Sequence, residues 1–141
     1  MRKWTELHCT GSIPSPRASH AAALVDNVMY VFGGYSSGEG TLDGLYALQL
    51  SSERLSKLDH YVVHMRNAAQ RWFKFHNVGR SPQGRLAHTM ASDGTRVFVL
   101  GGYLSGTRAN DMSLIHVFDT SMYFHSLISS VQPPRSSTQR T

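Results

Sequence analysis

An all-β fold, assembled from a repeated unit of short antiparallel strands, is what this sequence predicts. Three observations predict it. The first is an internal repeat: Pro14, Arg17, His20, Gly33, Gly34, Tyr35 and Asp43 recur as Pro82, Arg85, His88, Gly101, Gly102, Tyr103 and Asp111, always 68 residues apart. Trp4 and Gly11 return as Trp72 and Gly79 in the same register. A single offset held over so many uncommon residues marks a repeated structural unit. The second is a β-branched and aromatic run that ends in two glycines in both copies, Val28–Phe32 and Val97–Leu100. The third is the short polar turn before each run, Asp26-Asn27 and Ser92–Thr95, which suits a hairpin.

Taken in order, residues 1–16 are read as the last strand of a preceding unit, Trp4–Leu7, followed by a linking turn over Gly11–Pro16. Residues 17–76 form one unit. Its first strand is the apolar stretch His20–Val25. A helix is the alternative there, but the second copy carries Thr89 and Met90 where the first has alanines, which weakens it. Its second strand is Val28–Phe32. A glycine- and serine-rich loop, Ser36–Thr41, and Asp43 lead to a third strand over Leu45–Leu50, and the fourth is Trp72–Phe75. Residues 77–120 form a second, incomplete unit with its loop over Leu104–Arg108. Its third strand, Leu114–Phe118, matches the first copy less cleanly and admits a slip of two residues.

The segment 51–70 interrupts the first unit. Leu55, Leu58, Val62, Met65 and Ala69 recur at the spacing of one helical face, with Ser52 only a loose N-cap. An irregular loop and a translated intron are the other two readings. Residues 121–141 turn rich in Gln, Pro, Arg, Ser and Thr, too poor in apolar groups to build a core, and are expected to be disordered.

The double glycine closing a strand, the aromatic after it, the acidic residue in the next loop and the later Trp resemble the kelch repeat. The motifs are Gly33-Gly34-Tyr35, Asp43, Tyr46 and Trp72, then Gly101-Gly102-Tyr103 and Asp111. The Pro-x-Pro-Arg-x-x-His and Ser-Pro-x-x-Arg-x-x-His flanks resemble more narrowly the fungal members and, at the level of fold, the central domain of galactose oxidase. The resemblance covers residues 4 to 120. It implies a partial β-propeller of four-stranded antiparallel blades. It also implies a non-catalytic protein-interaction module, a scaffold or adaptor similar to cell-polarity proteins, whose blade loops meet a protein partner. Since propellers use typically four to eight blades, further blades are expected from a longer chain or from other copies.

The repeated residues have physical roles apart from the name. Glycine at a strand end permits positive φ or a close backbone approach. Trp4 and Trp72 are large enough to fill the space between stacked sheets. A buried Arg or His must be paired, so Arg17 and Arg85 are expected to reach loop carbonyls or Asp43 and Asp111. With His20 and His88, these residues are read as maintaining the unit.

Charge and cofactor chemistry narrow the function. The net charge of +5 is not spread over the repeats: residues 1–50 carry three positive and four negative side chains, and residues 81–120 carry three of each. The excess lies in residues 51–80 and the tail, without the aromatic interleaving of a nucleic-acid surface. Gly33–Gly40 lacks the Lys-Ser/Thr of a phosphate loop and precedes no crossover helix. His60 and His64 have no intervening Glu and no third ligand, so no metal is expected. A copper-radical oxidase built on the same fold is the enzymatic alternative. It needs a cysteine joined to a tyrosine, and Cys9 lies in a terminal turn. A truncated product without activity of its own is the third reading. A single cysteine agrees with a reducing, cytoplasmic setting. No apolar run suggests a signal peptide or membrane helix.

Overall fold

The computed structural model describes residues 3–50, 70–76, 79–104, 107–108 and 115–121. The segment 51–69, Asp111 and the tail 122–141 lie outside these described residues, and with them the readings of the insert as a helix, a loop or a translated intron and of the tail as disordered.

Twelve strands are present among the described residues. They are β1 Thr10–Gly11, β2 Ala21–Val25, β3 Val28–Phe32, β4 Tyr35–Ser36, β5 Gly40–Thr41, β6 Leu45–Gln49 and β7 Arg71–Lys74. The second copy supplies β8 Thr89–Asp93, β9 Arg96–Leu100, β10 Tyr103–Leu104, β11 Thr107–Arg108 and β12 Ile115–Asp119.

The first sheet has the order β1-β7-β6-β3-β2 and the second β12-β9-β8. The β2–β3 and β8–β9 hairpins turn in two residues each, with Val25 opposite Val28 and Asp93 opposite Arg96. Asp26 and Gly94 take φ of 54° there, the left-handed region that such turns require and that Asp and Gly tolerate best. Small ribbons, β4–β5 and β10–β11, occupy the two glycine- and serine-rich loops.

Strand pairing resolves the expected slip. Phe32 faces Leu45 in the first sheet, and its counterpart Leu100 faces Ile115 in the second. The offset is thus 70 for the third strand against 68 elsewhere. The second copy thus has two more residues between its double glycine and its third strand than the first.

One expectation is corrected at the start of the chain. Trp4–Leu7 forms no strand, and Trp4 is fully exposed rather than filling a gap between sheets. The first strand is instead Thr10–Gly11, which pairs in parallel with Arg71–Trp72. In the first sheet the fourth place, beside β6, is held by β7, and residues 3–7 pair with no described strand.

The core lies between the sheets. Alternate residues of the first sheet, Val25, Val28, Tyr30, Phe32, Leu45 and Ala47, pack on Val97 and Val99 of β9. This is the period-2 pattern expected of strands with one face turned to a core. Phe75 and Phe118 close its outer end, ring centroids 5.3 Å apart and nearly perpendicular, an edge-to-face geometry that aromatic pairs favour.

Candidate functional site

The repeated residues gather at the corner where each second strand ends in two glycines. Arg17 donates from Nη1 to the Gly33 carbonyl at 3.0 Å, from Nε to the Ser15 carbonyl at 3.0 Å, and from Nη2 to Ser15 Oγ at 3.1 Å. Arg85 repeats the pattern, to Gly101 O at 2.9 Å and Gln83 O at 3.1 Å. Both arginines therefore reach carbonyls, and Asp43 stands exposed. One guanidinium thus ties its own loop to the glycine corner 16 residues on. Beyond the clamp the copies differ. Arg17 lies over the Tyr46 ring, 4.9 Å from its centroid. Arg85 instead approaches Nε2 of His116, at 3.5 Å. Tyr46 and His116 are the same position once the two-residue slip is counted.

The corner of the first unit is also where the second unit docks. Gly34 N donates to Arg85 O at 2.8 Å, Arg85 N to Leu42 O at 3.1 Å, and Ala87 N to Ser19 O at 2.9 Å. Ser92 Oγ adds a bond to Leu24 O at 2.8 Å. Gly33 has φ 65°, and a Cβ there would lie 2.6 Å from the Arg85 carbonyl oxygen and 2.9 Å from the His88 ring. Only glycine allows that approach.

His88 packs edge-on against Phe32, centroids 5.5 Å apart. It is buried, and neither ring nitrogen meets a hydrogen-bond partner. Its counterpart His20 is exposed, because no Phe32 of an earlier unit covers it among the described residues. Burial first, and then the neighbouring Arg85 charge, lower the His88 pKa to about 4. The neutral ring is therefore the form the fold accepts. The unfolded chain binds this proton at its ordinary pKa of about 6.5, so stability is complete above that pH and falls as the pH drops towards 4. The expected loss between pH 7 and pH 4 is about 3 kcal/mol. Urea unfolding across that range checks it: the pH slope flattens in His88→Leu and persists in His20→Leu.

The clamp leaves one aromatic side chain of each unit in solvent. Tyr35 and Tyr103 are 46% and 44% exposed. Their backbones are fixed, Tyr35 by two bonds to Ala18 and Tyr103 by two to Leu86, and each opens a small ribbon. In the repeat pattern these tyrosines recur with the structural residues, yet their side chains point to solvent. The ribbons themselves were legible only as polar loops.

Among the described residues no three His, Cys, Asp or Glu side chains converge. Cys9 is free and half-buried, beside β1. No helix among the described residues is long and apolar enough to cross a membrane.

Two stacked sheets, antiparallel but for the short parallel β1, meet through glycine corners each clamped by an arginine, and form part of an unclosed β-propeller of repeat type. The chain belongs to the kelch-repeat family: the family model described as the KLHDC2/KLHL20/DRC7 Kelch-repeats domain matches residues 1–140. It is similar to Tip elongation aberrant protein 1 of Schizosaccharomyces pombe, 32% identical over 78% of this chain and 8% of that protein. The human Rab9 effector protein with kelch motifs is 32% identical over 78% of this chain and 26% of its own length. The Leucine-zipper-like transcriptional regulator 1 homolog of Drosophila melanogaster is 28% identical over 79% and 10%. The chain thus spans about a quarter or less of the relatives it matches.

Proposed function

We infer that this chain is a non-catalytic protein-interaction module, a kelch-type scaffold or adaptor that binds a protein partner through its blade loops. The observation that carries the reading is the pair of exposed tyrosines, Tyr35 and Tyr103, held in repeat register on rigid corners. Large aromatic side chains on a fixed backbone bury much area at low entropic cost, which is why Tyr is enriched in binding hot spots. The ribbons beside them vary between the two units, as contact loops on a rigid sheet tend to.

The finer reading is a cytoplasmic adaptor in cell polarity. The likeness to the fungal tip elongation protein supports it, and the single cysteine agrees with a reducing compartment. In this reading residues 17–76 and 77–120 are two blades of a larger ring. The other blades come from a longer chain or from further copies, and no nucleic acid, membrane or cofactor takes part.

Affinity capture with the chain and with Tyr35→Ala/Tyr103→Ala tests the reading. A protein bound in stoichiometric amount by the parent, and at least tenfold less by the doubly substituted chain with unchanged circular dichroism, supports it. Equal recovery on both overturns the assignment of these two side chains.

A further inference from the structure

Two Ser-Pro pairs occur in the sequence, Ser15-Pro16 and Ser81-Pro82, and no Thr-Pro. Their hydroxyls are in different states. Ser15 is half-buried, and its Oγ accepts a hydrogen bond from Arg17 Nη2 at 3.1 Å. That hydroxyl is committed to the arginine clamp. Ser81 is exposed, in the connection between β7 and β8, where its amide donates locally to Gly79 O at 3.0 Å. Its counterpart 68 residues earlier is Ile13, 59% exposed. The position therefore faces outward in both units, and only the second unit puts a hydroxyl there.

Ser81 stands on the rim of a crevice of about 80 Å³ between the two sheets. Phe32, Val97 and Phe118 wall it with apolar surface, and Arg80, Ser81 and His116 supply its polar lining. No carboxylate is among the residues that line it. His116 also has the Arg85 guanidinium 3.5 Å from its Nε2. The first unit carries Ser12, Ile13 and Tyr46 at the places of Arg80, Ser81 and His116. The outward hydroxyl, the cation before it and the imidazole on β12 thus appear together, in one unit and around one crevice. The repeat fold needs none of the three, since the first unit forms without them.

We propose that Ser81 is a phosphorylation site for a proline-directed serine/threonine kinase, and that the phosphate is received at the crevice by Arg80 and His116. Pro82 disfavours the helical region for Ser81 and holds it extended, the form in which a kinase cleft takes a serine. In the transfer, Ser81 Oγ bonds to the γ-phosphorus of a nucleoside triphosphate as the bond to the diphosphate oxygen breaks. The nucleoside diphosphate leaves, and the hydroxyl proton passes to the kinase's base. The product carries a charge of about −1.5 to −2 and three acceptor oxygens at pH 7. Arg80 donates to them through a planar fork suited to phosphate, and His116 answers them with an imidazole that the negative charge favours in its protonated form. The phosphate thereby ties the connection between the two sheets to β12. This site acts whether or not Tyr35 and Tyr103 bind a partner.

Kinase labelling tests the site. The chain, Ser81→Ala and Ser15→Ala are each incubated with a mitogen-activated kinase or a cyclin-dependent kinase and nucleoside triphosphate. Phosphate is counted by intact mass and placed by peptide mass spectrometry. Stoichiometric phosphate on Ser81 is expected, undiminished in Ser15→Ala and at least about tenfold lower in Ser81→Ala. Phosphorus NMR tests the seat of the phosphate. Phosphoserine ordinarily loses its second proton near pH 6, and neighbouring cations lower that value. The midpoint in the folded phosphorylated chain should lie at least about half a pH unit below that of the same chain in urea. Arg80→Ala, at an exposed position, should remove about half of the difference, and Arg80→Ala/His116→Gln all of it. No transfer by either kinase, transfer to Ser15 instead, or full labelling of Ser81→Ala overturns the site. Equal midpoints in the folded and unfolded chain overturn the part given to Arg80 and His116.

Discussion

Gly33→Ala should separate the two sheets. At φ 65° an alanine is strained by about 1 kcal/mol. Its Cβ also stands 2.6 Å from the Arg85 carbonyl oxygen, a backbone atom that cannot swing away. That carbonyl accepts the Gly34 amide at 2.8 Å, so moving it breaks a bond between the units and uncovers His88 and Val97. The summed loss is expected at about 4 kcal/mol or more, of the order of the whole stability of a small fold. Gly40→Ala is the control. Its φ is 77° but nothing lies within 4 Å of the added carbon, so only the strain of about 1 kcal/mol remains. Urea midpoints of the two variants check the difference; equal shifts would remove the close approach as the cause.

Arg85→Met carries the second large effect, expected at about 3 kcal/mol. Arg85 is 5% exposed, and its guanidinium donates to Gly101 O and Gln83 O. Methionine fills much of the volume but leaves both carbonyls without those donors, in a place water reaches poorly. Arg85→Lys should recover less than half of the loss, since an ammonium cannot span two carbonyls with a planar fork. Arg17→Met makes the same cut in a half-exposed clamp, where solvent replaces the lost bonds, and should cost about 1 kcal/mol. Thermal unfolding of the three variants gives the ranking, and a loss for Arg17→Met as large as that for Arg85→Met would sink the burial argument.

The contrast between the two arginines marks the limit of what the sequence discloses. Hairpin turns and glycine corners were legible because each is written locally. A β-branched run, a two-residue turn and a Gly-Gly pair mean the same thing in both copies. Burial was not legible, because it depends on the neighbour. His20 and His88 share a motif, yet only His88 has Phe32 beside it. Trp4 and Trp72 share a motif, yet only Trp72 has a strand to pair with. The parallel pairing of Thr10–Gly11 with β7 joins segments about 60 residues apart, and nothing in a two-residue strand announces its partner. The exchange of Tyr46 for His116 became visible only when the ladder set the offset of the third strand at 70.

The corner bonds also bear on how the chain is made. Gly34 N, Leu42 O and Ser19 O of the first unit all find their partners in Arg85 and Ala87 of the second. During synthesis these groups are finished before their partners exist. At roughly 5–20 residues per second the ribosome needs on the order of 2–8 s to add the stretch from Leu50 to Ala87. Through that interval the nascent first sheet has its hairpins but an uncovered inner face, with Val28, Tyr30 and Phe32 in water. Such a half-made product is a natural client for a chaperone at the tunnel mouth.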